Sequence, residues 1–214
     1  MRFYLVYHGR LPASGNKPKP EYVRDIRDQF SKQLKFLWEN DASLKRLRQT
    51  AVVKKKPHEY LDGPDSPFAT ERDFNAYPIE EHEVDLCEPL QQNGRTYIPL
   101  VRSSLDLNCH LDIHFLRQED PGCLVLKGGD LDNRIKTLFD ALRKPDRDVD
   151  AVYPQENETT YCLLESDTLV SGFDVTTGRL LFPNSDHEHE VHLLIEVTVR
   201  VLRVGLWNIC LLSE

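Results

Sequence analysis

The sequence lacks the features that define several large protein classes. It has five cysteines in 214 residues, an odd number with no CxxC pair, which argues against a disulfide scaffold and a zinc ribbon. No apolar run approaches the roughly 18 residues of a membrane helix, and the apolar stretch over residues 3–7 is too short for a signal peptide. These absences predict a reduced, cytoplasmic protein that does not enter a membrane. The length suits a single domain over residues 1–214.

Charge is distributed unevenly along the chain. The net charge is -8, which by itself argues against a nucleic acid as partner. Residues 1–60 nevertheless carry 14 Lys and Arg against 6 Asp and Glu, whereas residues 61–214 carry 13 against 29. Such asymmetry favours one surface that faces a polyanion, although a solvated helix surface would explain the same basic residues.

Hydrophobic periodicity predicts the α+β class, with a small mixed β-sheet flanked by two main helices. The first helix runs from Tyr22 to Leu37, a short one follows the cap Asp41, and the second main helix covers residues 130–143. Residues 41–95 are predicted to form an irregular, loop-rich insertion, with long loops over 54–95 and one strand near 83–86. The other predicted strands cover residues 1–7, 96–101, 108–115, 161–164, 168–175, 180–182 and 191–201, and Gly178 predicts a turn before the strand over 180–182.

The start of the helix over 130–143 carries the most specific signal. Asp130 and Asp132 follow a glycine pair, and both gain from the positive end of the helix dipole. Capping alone would explain them. The alternative is a Mg²⁺ or Mn²⁺ site, because two carboxylates at one helix tip repel each other unless a cation joins them. Lys136, one turn after Asp132, would then hold a phosphate or orient an attacking water.

The run from Gly129 to Leu142 resembles the signature of the RusA-type Holliday-junction resolvases, a family of crossover junction endodeoxyribonucleases. The family pattern is approximately D-x-D-N-x-x-K-x-x-x-D-A-L, and every named position is met here. Residues 11–16 also resemble the family's early proline–serine–asparagine loop. The resemblance implies a small homodimeric endonuclease with a mixed sheet, which cuts branched DNA symmetrically with Mg²⁺ held by aspartates.

Carried onto this chain, the resemblance implies that Asp130 and Asp132 are metal ligands and that Lys136 is the catalytic lysine. The family's third aspartate falls best on Asp167, which would make it both a catalytic residue and a metal ligand. The gap between the helix and Asp167 is longer here than in the family. Four alternatives for the third acid therefore remain, namely Asp146, Asp148, Asp150 and Glu165.

Together these features predict a Mg²⁺-dependent, structure-selective endonuclease of recombination and repair that acts on Holliday junctions. A non-catalytic nucleic-acid-binding protein on the same scaffold is one alternative, and a nuclease for another DNA or RNA substrate is a second. His187, His189 and His192 form a cluster before the last strand. We interpret it as a solvated loop in preference to a metal site. The predicted nucleic-acid contacts are Asn16, Lys17, Lys19, Arg24, Arg27, Lys54, Lys55, Lys56 and Asn133.

Overall fold

The computed structural model describes residues 1–11, 20–55, 82–92, 94–118, 131–145, 159–181 and 190–212. Within these ranges lie three α-helices: α1 (Pro20–Asn40), α2 (Ala42–Thr50) and α3 (Leu131–Leu142). The strands are β1 (Arg2–Arg10), β2 (Val52–Lys55), β3 (His82–Asp85), β4 (Leu90–Gln92), β5 (Arg95–Val101), β6 (Leu107–Arg117), β7 (Thr159–Leu164), β8 (Val170–Arg179) and β9 (Glu190–Val201). The predicted α+β class is confirmed at this level.

The strands form three sheets. The largest has the order β1-β9-β6-β8, in which β9 is antiparallel to β1 and β6 while β8 is parallel to β6. A second sheet has the order β4-β5-β7, with β7 parallel to β5, and β2 pairs with β3 alone. A mixed sheet with helices beside it was predicted, whereas the two smaller sheets were not.

Alternation along the strands separates two faces of the four-stranded sheet. In β6, Cys109, Leu111, Ile113 and Phe115 are fully buried, while the residues between them are partly or well exposed. The buried face contacts the core helices, which contribute apolar side chains at helical spacing. The opposite side, which we call the open face, carries the even-numbered residues of β1, β6 and β9. The core helix residues include Ile26, Phe30, Leu34, Leu138 and Leu142.

Helix α1 closes the free edge of β1 with two glutamine side chains. The Gln33 amide accepts from the backbone N–H of Val6 (2.9 Å) and donates to its carbonyl (2.7 Å). Gln29 likewise donates to the carbonyl of His8 at 3.1 Å. Because an edge strand exposes unpaired backbone groups, these amides take the place of a neighbouring strand over that stretch.

The register of the four-stranded sheet defines its two ends. Arg117 pairs with Arg179 and Val191, and Arg10 pairs with Glu190, so these strand termini meet beside Leu11. We call this the Leu11 end. We call the opposite end the Leu107 end, because Leu107 pairs there with Val201 and Val170 lies nearby, opposite Cys109.

Three sequence predictions about local structure were wrong. Lys54 and Lys55 were placed in a loop, but both belong to β2, where they pair with Glu83 and His82. Thr168 was placed in a strand, but residues 167–169 form a short 3₁₀ helix before β8. A turn was expected at Gly178, but β8 continues through it to Arg179.

Among the helices in the described parts of the chain, none has the length and apolar character of a membrane span.

Candidate functional site

Helix α3 is amphipathic and presents two charged residues to solvent. Ile135, Leu138 and Leu142 are buried in the core, which fixes the orientation of the helix. Asp132 lies in the first turn and is exposed, as is Lys136 four residues later. Residues at this spacing are neighbours on a helix surface, with Cβ atoms about 5–6 Å apart. The structure therefore places a carboxylate and an ammonium side by side at the start of α3.

A buried arginine ties the start of α3 to the sheet. Arg134 is fully buried, and its Nη1 donates to the carbonyl of Leu11, the residue that follows β1. Asn133 lies partly exposed beside Asp132, and its carbonyl accepts from the Thr137 hydroxyl at 2.9 Å. The first turn of α3 is thus held at the Leu11 end of the sheet.

Arg27 was predicted to contact nucleic acid, and the structure corrects this. Its side chain is buried, and Nη2 donates to the backbone carbonyl of Asp140 at 2.7 Å. Asp140 also accepts from Arg143 at 2.9 Å through its carboxylate. These bonds join α1 to α3, so Arg27 fixes the packing of two helices and is not available to a DNA backbone.

Asp167 lies far from Asp132. It belongs to the 3₁₀ helix directly before Val170, at the Leu107 end, whereas Arg134 contacts Leu11 at the other end. At about 3.3 Å per residue, β8 alone separates the two ends by about 30 Å. Glu165 also lies at the Leu107 end, where its carboxylate accepts from the N–H (2.9 Å) and hydroxyl (2.8 Å) of Ser103. Neither acid shares a metal site with Asp132 in this structure.

Two other predicted nucleic-acid contacts reach solvent: Lys54 is exposed, and Arg24 is partly exposed. Arg24 lies in the second turn of α1, and Asp28 is 3.7 Å from its guanidinium. Because Gln29 contacts His8 farther along α1, Arg24 lies toward the Leu11 end. Lys54 lies on β2, where its side chain is exposed. Beside this strand, the backbone N–H of Leu86 donates to the carbonyl of Ala51.

The following predicted residues lie outside the described residues: Asn16, Lys17, Lys19, Lys56, Asp130, Asp146, Asp148, Asp150, His187 and His189, together with the side chain of Lys55.

A second cluster of polar side chains occupies the open face at the Leu11 end. His8 pairs with His192 across β1 and β9, and their ring centroids are 4.0 Å apart. His8 Nε2 also contacts a carboxylate oxygen of Glu190, which is buried. One ligand atom from each of the three residues lies within 4.8 Å of the other two. Burial and the neighbouring His8 lower the pKa of His192, against the opposing effect of Glu190.

Sequence reasoning missed most of these arrangements. Arg134 occupies an unnamed position of the motif, and nothing in the sequence distinguishes its buried role from a solvated one. His192 was noted, but with His187 and His189 as its neighbours. Alternation could have assigned His8 and His192 to one face of β1 and of β9, but only the pairing of the two strands shows that the side chains are neighbours on the open face.

Comparisons with known proteins add no relative. No family model, no curated protein and no solved structure matches this chain. The resemblance to junction resolvases therefore depends on the residues of α3 and the loop before α1. What supports a function is the geometry described above.

Proposed function

We propose that the protein is a Mg²⁺-dependent endonuclease that cleaves phosphodiesters in branched DNA. One observation carries the proposal: the start of α3 exposes Asp132 and Lys136 side by side, within a motif whose other face is buried. Because a first-turn acid and an i, i+4 charge pair also stabilise ordinary helices, the proposal depends on this pair together with the motif around it. Arg134 holds this turn at a fixed place, as a catalytic group requires.

The donor set at this turn fits a hard cation. Asp132 offers carboxylate oxygens in the first helical turn, and Asp130 directly precedes the helix in the chain. Oxygen ligands are those that Mg²⁺ takes, usually from one or two carboxylates together with substrate phosphate. A bound Mg²⁺ would lower the pKa of a coordinated water and polarise a phosphoryl oxygen. In this proposal Asp130 and Asp132 hold the ion, with the third acid among Asp146, Asp148 and Asp150.

Lys136 supplies a fixed positive charge beside those carboxylates. Its ammonium lies one turn along the same exposed face, so it can contact a non-bridging phosphate oxygen or orient the attacking water. Its role is electrostatic because charge develops on the phosphoryl oxygens as the phosphodiester is cleaved. This role needs only that the ammonium stays exposed, as the structure has it.

DNA would approach along the Leu11 end. Arg24 lies toward this end on α1, and the basic residues Lys17 and Lys19 belong to the segment between Leu11 and α1. Contacts of this kind bind the phosphate backbone without reading sequence and weaken as salt rises. A branched junction is two-fold symmetric, so paired cuts would require two sites, and we propose a homodimer for that reason.

The proposal is tested by cleavage of a labelled four-way junction with a linear duplex of the same sequence. A flap and a single strand complete the substrate panel, and each reaction is run in Mg²⁺ and in EDTA. Paired nicks on the junction that need Mg²⁺ are expected. Cleavage of the flap or the single strand, and not of the junction, would support nuclease activity but assign it a different substrate.

A non-catalytic nucleic-acid-binding protein is the second candidate. The observation in its favour is that Asp167 and Glu165 lie at the Leu107 end, so neither supplies an acid to the start of α3. Binding of the junction without any Mg²⁺-dependent nicks, over a range of enzyme concentrations, would select this candidate over the nuclease.

A further inference from the structure

We propose that His8, Glu190 and His192 form a binding site for one transition-metal ion of the Zn²⁺ type. This site is separate from the aspartates of α3. It lies on the open face of the sheet, whereas the helices pack on the other face. The metal-site proposal and the nuclease proposal therefore depend on different residues and can be tested separately.

Strand pairing brings the three side chains together. His8 and His192 are direct partners in the register of β1 and β9, and Glu190 is two residues before His192, hence on the same face. One ligand atom from each residue lies within 4.8 Å of the other two. With metal–ligand bonds of about 2.0–2.1 Å, tetrahedral ligands are about 3.3 Å apart, so side-chain adjustments alone could close the site.

Burial makes this cluster different from a pair of surface histidines. The Glu190 side chain is only 2% exposed, and Gln118 Nε2 lies 3.4 Å from its second carboxylate oxygen. The Nε2 atom of His192 is buried, and none of the residues that the structure describes forms a hydrogen bond to it. A buried polar atom without a partner is costly, and coordination of a metal ion through this nitrogen would satisfy it.

The donor set selects the class of ion. Two imidazole nitrogens and one carboxylate oxygen form a common ligand set of Zn²⁺, and three protein ligands leave a fourth position open. Mg²⁺ prefers oxygen ligands alone, so it fits the start of α3 and not this cluster. Gln118 would then hold the ligating carboxylate in place, as groups behind metal ligands do.

An ion at this position would cross-link β1 and β9, because it would be coordinated by residues of both strands. β1 ends and β9 begins here, and the chain leaves β1 through Leu11, whose carbonyl accepts from Arg134. The ion would therefore stabilise the end of the sheet on which the start of α3 is anchored. Zn²⁺ is expected to raise the melting temperature of the chelator-treated protein because it binds only the folded chain.

Direct metal titration tests the proposal. The full chain, without a polyhistidine tag and after chelator treatment, is titrated with Zn²⁺ by calorimetry and with Co²⁺ by visible absorption. We expect one ion per chain and a Co²⁺ spectrum typical of nitrogen and oxygen ligands. His192→Gln and Glu190→Gln should each weaken binding by at least about tenfold.

His114→Gln is the matched control. His114 lies on the same open face in β6, its side chain is 47% exposed, and it is not part of the cluster. Its variant should bind Zn²⁺ as the wild type does. Circular dichroism establishes that each variant folds. If a variant fails to fold, the wild-type stoichiometry and Co²⁺ spectrum decide. Less than one ion per chain, or equal affinity in the cluster variants and His114→Gln, overturns the proposal.

Discussion

The two ends of the four-stranded sheet use polar residues in different ways. At the Leu107 end, polar side chains complete turns: Glu165 accepts from Ser103, and the hydroxyl of Ser166 caps the 3₁₀ helix through the N–H of Thr168. At the Leu11 end, Asp132 and Lys136 are exposed on an anchored helix. Polar side chains that bond to nearby backbone have a structural role. We therefore place the candidate functional residues at the Leu11 end.

Two buried polar side chains, Asn208 and His192, differ in a similar way, although Asn108 Oδ1 at the Leu107 end also has no partner among the described residues. Asn208 at the Leu107 end donates to the carbonyls of Leu105 and Arg203 at 2.9 Å each, and accepts from Gly205 at 2.8 Å. Its polar atoms are all matched by backbone. His192 at the Leu11 end has a buried nitrogen that no described group matches. The comparison predicts that changes at one end affect stability and that changes at the other affect activity.

The largest effect is expected from Asp132→Asn. The amide keeps the shape of the side chain but removes the charge that would hold Mg²⁺, so junction cleavage should fall by at least about a hundredfold. The measurement is the single-turnover rate with DNA binding followed in parallel. Binding should be retained. Cleavage at the wild-type rate would exclude Asp132 from the site.

Asn208→Ala is expected to affect stability most. Loss of three hydrogen bonds by a fully buried residue should lower the free energy of unfolding by about 2–4 kcal/mol. Urea denaturation measures the change. Asn40→Ala is the control, because Asn40 is exposed and its side chain donates to the carbonyl of Phe36 in its own helix, and it should cost less than about 0.5 kcal/mol. Equal effects of the two substitutions would contradict the role assigned to Asn208.

Arg134→Met tests the anchor of α3. The replacement has similar length but leaves the buried carbonyl of Leu11 without this donor, so the free energy of unfolding should also fall, by about 1–3 kcal/mol, and cleavage is compared on folded protein. The contact with Leu11 is lost, so the start of α3 should shift and cleavage should fall about tenfold. Arg46→Met, at an exposed position of α2, is the control. An unchanged cleavage rate in Arg134→Met would show that the anchor is unnecessary for activity.

Asp167→Asn is expected to have the smallest effect. Its side chain is exposed at the Leu107 end, far from the start of α3, so the cleavage rate should remain within about twofold of wild type. The assay is the one used for Asp132→Asn. A loss as large as that of Asp132→Asn would restore Asp167 to the metal site and show that the two ends act together.

The predictions from sequence succeeded where the signal was local. The stripe of Ile26, Phe30 and Leu34 predicted α1, and Asp41 caps α2 by accepting from Leu44 at 2.9 Å as expected. Alternation predicted β6 and β9. The β4–β5 hairpin was missed even though Asn93-Gly94 is a strong turn signal, and Gly94 has φ +74°, a conformation that glycine adopts readily.

The candidate site could be predicted only as far as α3 extends. Asp132 and Lys136 share a face because a helix has a fixed period, which the sequence contains. The position of Asp167 depends on the path through β7 and on which sheet end the chain reaches, and that is set by strand pairing. For the same reason His8 and Glu190, 182 residues apart, could not be joined from sequence.

The glutamines on α1 have a consequence for how the chain is made. β1 finds its strand partner only when β9 has been synthesised, close to 190 residues later. Gln29 and Gln33, by contrast, reach β1 from 21 and 27 residues away. Contacts close in sequence form sooner than distant ones, and a nascent chain emerges from its N-terminus. Helix α1 can therefore shield one edge of β1 on the ribosome while its other edge awaits β9.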